Sequence, residues 1–126
     1  MIEVSFKNHF IFTLAFSLIC LVGYSQSLET GMASFYSDAF EGKQTASGEI
    51  YKSSKMTAAH RTLPFGTEVK VTNLSNQRTV KVTVNDRGPF AKGRVIDLSR
   101  AAAVKLDFVE QGVTKVQIEP IKTPKK

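Results

Sequence analysis

The chain has 126 residues, which is enough for one domain with a modest core and too short for two typical domains. It contains one cysteine and two histidines, too few for the usual four-ligand structural zinc site. The formal net charge of +6 indicates an anionic partner, of which nucleic acid is one class.

Residues 1–25 have the pattern of a secretory signal peptide. Lys7 precedes an apolar run from Phe10 to Val22, shorter than the roughly 20 residues that span a bilayer. Small residues before Gln26 suit cleavage there. An uncleaved anchor is the alternative, whereas lipid attachment at Cys20 is disfavoured because Ile19 precedes it. We therefore expect export to the periplasm or cell envelope, without a stable membrane span.

The remaining chain is expected to form one domain over residues 26–121, followed by a basic, disordered tail at 122–126. This domain would contain one histidine, His60, and no cysteine, so no disulfide, metal or cofactor is expected. An exported protein rarely meets nucleic acid, so the positive charge indicates an anionic surface such as the cell wall. We expect a monomer.

Alternating β-branched residues predict the strands. Met32 to Tyr36 is typical of an opening strand, and the two valine-rich runs around residues 69–71 and 80–84 predict a hairpin whose turn is Leu74–Arg78. Val113 to Ile121 predicts a last strand. Ser99 can cap one helix over Arg100–Leu106. Short strands with one small helix favour a compact barrel over a sandwich.

Polar and titratable residues concentrate in the segments predicted to be loops. These segments are Thr45–Glu49, Met56–His60, Leu63–Thr67 and Asn85–Phe90.

Several phrases in one fixed order resemble the rare lipoprotein A family of septal lytic transglycosylases. The matching phrases are TASGE (Thr45–Glu49), MTAAH (Met56–His60), TLPFGT (Thr62–Thr67), VTNL (Val71–Leu74), VNDRGPF (Val84–Phe90), GRVIDLS (Gly93–Ser99) and AAA (Ala101–Ala103). The resemblance covers about Gly31 to Glu119. It implies a mainly β fold, a six-stranded double-psi β-barrel with one or two short helices.

The resemblance also implies an activity. The family cleaves the bond from N-acetylmuramic acid to N-acetylglucosamine in peptidoglycan, and the sugar's own C6 hydroxyl closes on the anomeric carbon to leave a 1,6-anhydro end. It favours glycan strands stripped of stem peptides. The functional trio of the family falls on Glu49, His60 and Asp86 of this chain.

The chemistry of glycoside cleavage gives each of these residues an expected role. A leaving oxygen needs a proton and the oxocarbenium-like transition state needs nearby negative charge. We expect Asp86 to exchange that proton, Glu49 to support it or hold the sugar, and His60 to orient a carboxylate or the substrate. Each residue also has a structural alternative. Asp86 could cap the turn that follows it, Glu49 could be an ordinary exposed loop residue, and His60 could be a partly buried residue with its ring nitrogens hydrogen-bonded.

Asp97 is the rival acid, because related barrels, the expansins and one cellulase family, use an aspartate in a comparable phrase. Its structural alternative is to satisfy the amides at the start of the helix or to lock the psi loop of the barrel.

Four further residues are expected to bind substrate. Tyr36 is expected to offer a face to the sugar, and Ser47, Asn85 and Arg87 to provide polar contacts. Phe35 and Phe40 could belong either to such a platform or to the core.

The chain also departs from the family pattern. Phe35-Tyr36-Ser37 stands where the family commonly has Trp-Tyr-Gly, and Glu41-Gly42-Lys43 where it has His-Gly-Arg. No peptidoglycan-binding repeat domain is expected after the barrel. Two alternatives to a lytic transglycosylase remain open: a non-catalytic, expansin-like wall-binding module, and a hydrolase that uses Asp86 and Asp97 as its carboxylate pair.

Overall fold

A computed structural model describes residues 27–124 of the chain. The predicted signal peptide and the end of the predicted tail therefore lie outside the described residues. Within these residues the fold consists of six strands, one α-helix and one short 3-10 helix. The strands are β1 (Glu29–Phe35), β2 (Thr57–Ala59), β3 (Glu68–Asn73), β4 (Thr79–Asp86), β5 (Arg94–Leu98) and β6 (Thr114–Lys122); the 3-10 helix is Asp38–Phe40 and helix α1 is Arg100–Leu106.

The six strands close into a barrel in the order β1-β5-β2-β4-β3-β6. Strands β1 and β5 are parallel, as are β2 and β4, and the other neighbours are antiparallel. The prediction of a six-stranded double-psi β-barrel with a short helix is therefore confirmed. Within residues 27–124, no helix is long and apolar enough to cross a membrane.

The valine alternation predicted β3 and β4 correctly. Val69 and Val71 on β3 face Val82 and Val80 on β4, and all four side chains are buried. Period-two alternation places these side chains on one face of the sheet, and that face is the barrel interior. Strands β1 and β6 also form where they were predicted, with β1 beginning at Glu29 and β6 reaching Lys122.

Helix α1 begins and ends as predicted. The Ser99 hydroxyl accepts a hydrogen bond from the backbone N–H of Ala102, which satisfies one of the free amides of the first turn. Asp107 ends the helix with a left-handed backbone. Ala102, Ala103 and Leu106 face the barrel core and are buried.

The expectation that Met56–His60 is a loop was wrong, because Thr57–Ala59 forms strand β2. Three residues are too few to show alternation, and alanine has low strand propensity. The strand exists because β4 and β5 both pair with it, one on each side. Tertiary pairing thus decides the local structure here.

Candidate active site

Asp86 ends strand β4, and three hydrogen-bond donors hold its carboxylate. Its Oδ1 accepts the backbone N–H groups of Ala46 and Arg87, both at 2.9 Å. Its Oδ2 accepts the hydroxyl of Tyr36 at 2.5 Å. Three donors match the acceptor lone pairs of a carboxylate. Because two of the three donors are on Oδ1, Oδ2 is the atom with more room for another partner.

Tyr36 is fixed by two aromatic neighbours. Its ring stacks on that of Tyr51 with centroids 4.4 Å apart and meets Phe40 edge-on at 5.4 Å. Burial raises the pKa of Tyr36 well above 10, and the hydrogen bond and charge of Asp86 raise it further. The phenol therefore stays protonated at any working pH and donates to Asp86. Tyr36, which was expected to offer its face to the sugar, is therefore a hydrogen-bond donor to Asp86, the predicted acid.

The other aromatic side chains of this region have separate roles. Phe35 is half-buried and packs edge-on against Phe108 in the core, with ring centroids 5.7 Å apart. Phe40 is exposed and contacts Tyr36. Tyr51, which the sequence analysis missed, is buried and accepts the backbone N–H of Arg100. An isolated tyrosine in a polar segment offers no periodic signal that would have identified it.

Glu49 lies beside Asp86, in a turn that crosses the end of β4. The exposed Glu49 carboxylate accepts a hydrogen bond from Asn85 Nδ2 at 3.0 Å. The Ser47 N–H donates to the Asn85 carbonyl at 3.2 Å, and Ser47 Oγ accepts the Glu49 N–H. The structure therefore brings Glu49, Ser47, Asn85 and Asp86 together. Ser47 and Asn85 both hold this turn in place.

The His60 ring forms its hydrogen bonds with other residues than the Asp86 and Glu49 carboxylates do. Its Nδ1 accepts the backbone N–H groups of Thr62 and Leu63, both at 3.1 Å. Its Nε2 must then carry the proton, and it lies 2.9 Å from Glu29 Oε1. The ring is buried, while the Glu29 side chain is 44% exposed. His60 thus donates to a carboxylate, that of Glu29, which the sequence analysis did not single out.

Arg87 links the His60 turn to Asp86. Its Nη1 donates to the carbonyls of His60 and Leu63, at 3.1 and 2.8 Å. Its guanidinium lies 4.1 Å from the ring centroid of Phe65. Because its backbone N–H donates to Asp86 and its side chain donates to this turn, Arg87 connects the two segments. The backbone N–H of His60 also donates directly to the backbone carbonyl of Asp86 at 3.1 Å, whereas the His60 ring is bonded elsewhere.

Asp97 is on β5, separated from Asp86 by the short strand β2. Ala59 of β2 is in register with Asp86 on one side and Asp97 on the other. Two strand spacings of about 4.8 Å separate the two aspartates along the sheet. Asp97 pairs with Arg94 at 2.8 Å and accepts the Ser34 hydroxyl, which in turn accepts from Arg94. Ser99, as predicted, caps helix α1, so the structural alternative in which Asp97 bonds the first helical amides is not the one observed.

A groove of about 570 Å³ opens next to Glu49 and Asn85. Its size is in the range of known ligand sites, roughly 300–1,000 Å³. Its remaining wall contains Ile50, Lys52, Lys55 and the strand residues Thr57 and Thr83. Among residues 27–124, no three His, Cys, Asp or Glu side chains cluster as metal ligands would.

The sequence matches the family described as "Lytic transglycolase" over residues 28–118. It is 54% identical over 99 residues to the endolytic peptidoglycan transglycosylase RlpA of Pasteurella multocida (strain Pm70), covering 79% of this chain and 33% of that protein. The RlpA protein of Campylobacter jejuni (strain NCTC 11168) is 52% identical over 91 residues, covering 72% of this chain and 33% of that one. The chain spans about a third of the length of these curated relatives.

Solved structures with the same fold include a papain inhibitor from Streptomyces, with a TM-score of 0.62, 28% identity, and coverage of 76% of this chain and 96% of that one. The apo expansin of Clavibacter michiganensis has a TM-score of 0.60 over 79% of this chain and 53% of its own. At 22% identity, it shows the fold alone. As the resemblance to the rare lipoprotein A proteins predicted, the chain belongs to the lytic transglycolase family.

Proposed function

We propose that the protein is an endolytic peptidoglycan transglycosylase that cleaves N-acetylmuramic acid–N-acetylglucosamine bonds and leaves 1,6-anhydro ends. The observation that supports this most directly is Asp86, held by three donors at a strand end beside the exposed Glu49. The family match and the names of the relatives support the reaction class. Glycan strands that lack stem peptides are the proposed substrate.

The proposed reaction needs one proton-exchanging group. The Oδ2 atom of Asp86 gives a proton to the leaving glycosidic oxygen while the C1–O bond breaks. The C6 hydroxyl of the same muramic acid residue then bonds to C1, and its proton returns to Asp86. No activated water is required. The first step requires that substrate binds while Asp86 is protonated, and the second step regenerates that form.

The supporting residues have distinct proposed roles. Glu49 supplies negative charge near the oxocarbenium-like transition state or binds the sugar. Tyr36 and Arg87 position Asp86, through the phenol and the backbone N–H respectively. The His60 ring supports the turn whose carbonyls accept the Arg87 side chain, and the His60 backbone N–H donates to the Asp86 carbonyl.

We also propose that the protein is exported by a signal peptide at residues 1–25 and acts as a monomer in the cell envelope. The positive net charge supports this placement, because peptidoglycan and its surroundings are rich in anionic groups.

Product analysis tests the proposal. Purified protein is incubated with denuded and with peptide-bearing glycan strands, and the products are examined by mass spectrometry. We expect anhydro ends from the wild type and at least a hundredfold lower rate from Asp86→Asn. Asp107→Asn is the matched control, because Asp107 is exposed at the end of helix α1 and asparagine tolerates its left-handed backbone.

The other outcomes separate the alternatives. Reducing ends would replace the proposal with a hydrolase using Asp86 and Asp97. The bonds of Asp97 to Arg94 and to the Ser34 hydroxyl argue against that role, because they already occupy its carboxylate. No new ends, together with retained binding to cell walls, would leave the expansin-like binding module.

A further inference from the structure

The groove beside Glu49 is bordered by two lysines on one short, anchored turn. The Lys55 N–H donates to the Lys52 carbonyl at 3.1 Å, which closes the turn. The intervening Ser53 anchors it twice: its N–H donates to Glu41 Oε1 at 2.8 Å, and its carbonyl accepts the Ala101 N–H of helix α1 at 2.9 Å. The backbone below the two ammonium groups is therefore fixed in place.

Both lysines are free to bind an anion. Each is exposed, and within residues 27–124 neither has a carboxylate within 4.0 Å. Lys52 adds only a minor share to the lowered pKa of Glu41, whose main cause is the hydrogen bond from Ser53. The Glu49 carboxylate at the near end of the groove is already bonded to Asn85. Within residues 27–124, neither ammonium group is therefore held in an ion pair.

The rest of the groove suits a sugar chain. Ile50 is 46% exposed on its wall, an apolar surface against which pyranose C–H groups or an acetamido methyl can pack. Thr57 and Thr83 add hydroxyl groups. Asn85, which directly precedes Asp86 on β4, also lines this groove, so the groove begins one residue away from the candidate acid.

We propose that Lys52 and Lys55 form a binding site for the free lactyl carboxylate of a muramic acid residue neighbouring the cleaved bond. This inference rests on the proposed function and deepens it. In a peptide-bearing strand the lactyl carboxyl forms an amide bond with the stem peptide and is neutral. Removal of the stem peptide leaves it as a carboxylate anion. Two ammonium groups would distinguish these two forms by charge. Lys52 and Lys55 thus provide the physical basis for a preference for denuded strands.

Binding measurements with three glycans test the site. The first glycan is the denuded strand. The second is the same strand with its lactyl carboxylates converted to neutral methylamides, and the third is the peptide-bearing strand. Affinities are measured with Asp86→Asn protein, so that no strand is cut, and cleavage rates are measured with the wild type. We expect denuded strands to bind about three- to tenfold more tightly than the methylamides, as two exposed ion pairs would provide.

The double substitution Lys52→Gln/Lys55→Gln is expected to remove most of that difference, by weakening the binding of denuded strands alone. Lys105→Gln/Lys115→Gln is the matched control, because it removes the same charge from exposed lysines that do not line this groove. The control is expected to keep the full preference. Circular dichroism confirms that both double variants are folded.

Three results would overturn the inference. One is equal binding of denuded and methylamide strands by the parent protein. Another is an undiminished preference in the Lys52→Gln/Lys55→Gln variant. The third is tight binding of peptide-bearing strands that this variant loses, which would assign the lysines to carboxylates of the stem peptide. Failure of the proposed function appears separately, as an absence of cleavage by the wild type whatever the binding data show.

Discussion

At the residue scale, the contact between Tyr36 and Asp86 is the most informative feature of the site. The two residues are 50 positions apart and meet through a 2.5 Å hydrogen bond. The sequence predicted a function for both, but as a sugar platform and an acid with no contact between them. Their contact depends on how β1 and β4 are arranged around the barrel, which local patterns do not specify.

Tyr36→Phe is expected to lower kcat about ten- to hundredfold with little change in KM. A hydrogen bond to a charged group contributes about 1.5–3 kcal/mol, and tenfold in rate corresponds to about 1.4 kcal/mol. Steady-state cleavage of denuded strands measures the effect. Tyr51→Phe is the control, because the phenol of Tyr51 bonds to Arg100 and not to Asp86. Similar losses in both variants would show that the aromatic stack matters and the hydrogen bond does not.

His60 shows what a residue's type can and cannot predict. A single histidine in a loop-like segment was expected to orient a carboxylate or the substrate. It does donate to a carboxylate, but Glu29 on β1 is 31 positions away and has no distinguishing pattern around it. Both ring nitrogens are already bonded, so the side chain acts on the backbone of residues 60–63.

At the scale of the elements, the accuracy of prediction follows the amount of local information. Strands β3 and β4 have alternating valines, and helix α1 has a capping serine and three alanines, so each was predicted close to its bounds. Strand β2 has neither signal and was missed. Its pairing with β4 and β5 comes from residues far away in the sequence. The site depends on this strand, because it sets the separation of Asp86 and Asp97.

Ser99→Ala is expected to lower the free energy of unfolding by about 1–2 kcal/mol. The buried Ser99 hydroxyl accepts the Ala102 N–H at 3.3 Å and the Thr57 N–H at 3.4 Å, so it joins α1 to β2. Denaturant unfolding measures the change, and Ser54→Ala, at an exposed turn position, serves as the control. Equal stability of the two variants would contradict the capping role.

At the scale of the whole molecule, stability is expected to fall as the pH rises above about 10. The folded protein raises the pKa of Tyr36 and Tyr51 above their ordinary value of 10.0, mainly through burial. Above pH 10 the unfolded chain loses these protons while the folded one retains them, so alkali favours unfolding. Below that pH this contribution is fully present.

Denaturant unfolding between pH 8 and pH 11 measures this dependence. Replacing either tyrosine by phenylalanine is expected to flatten the decline, and absorbance titration of tyrosinate reports the ionisation directly. A decline just as steep in Tyr36→Phe/Tyr51→Phe would assign alkaline unfolding to other groups.

The closed order of the six strands has a consequence for durability. A sheet that closes on itself has no edge strand, so no row of free amide and carbonyl groups is open to another chain or to a protease that binds its substrates in extended form. Residues 27–124 contain no cysteine, and a disulfide is therefore not the source of resistance. Detaching any one strand requires that two ladders of hydrogen bonds break together, which opposes local unfolding. Under the proposed export to the cell envelope, ring closure takes the place of cross-linking as the means of persistence.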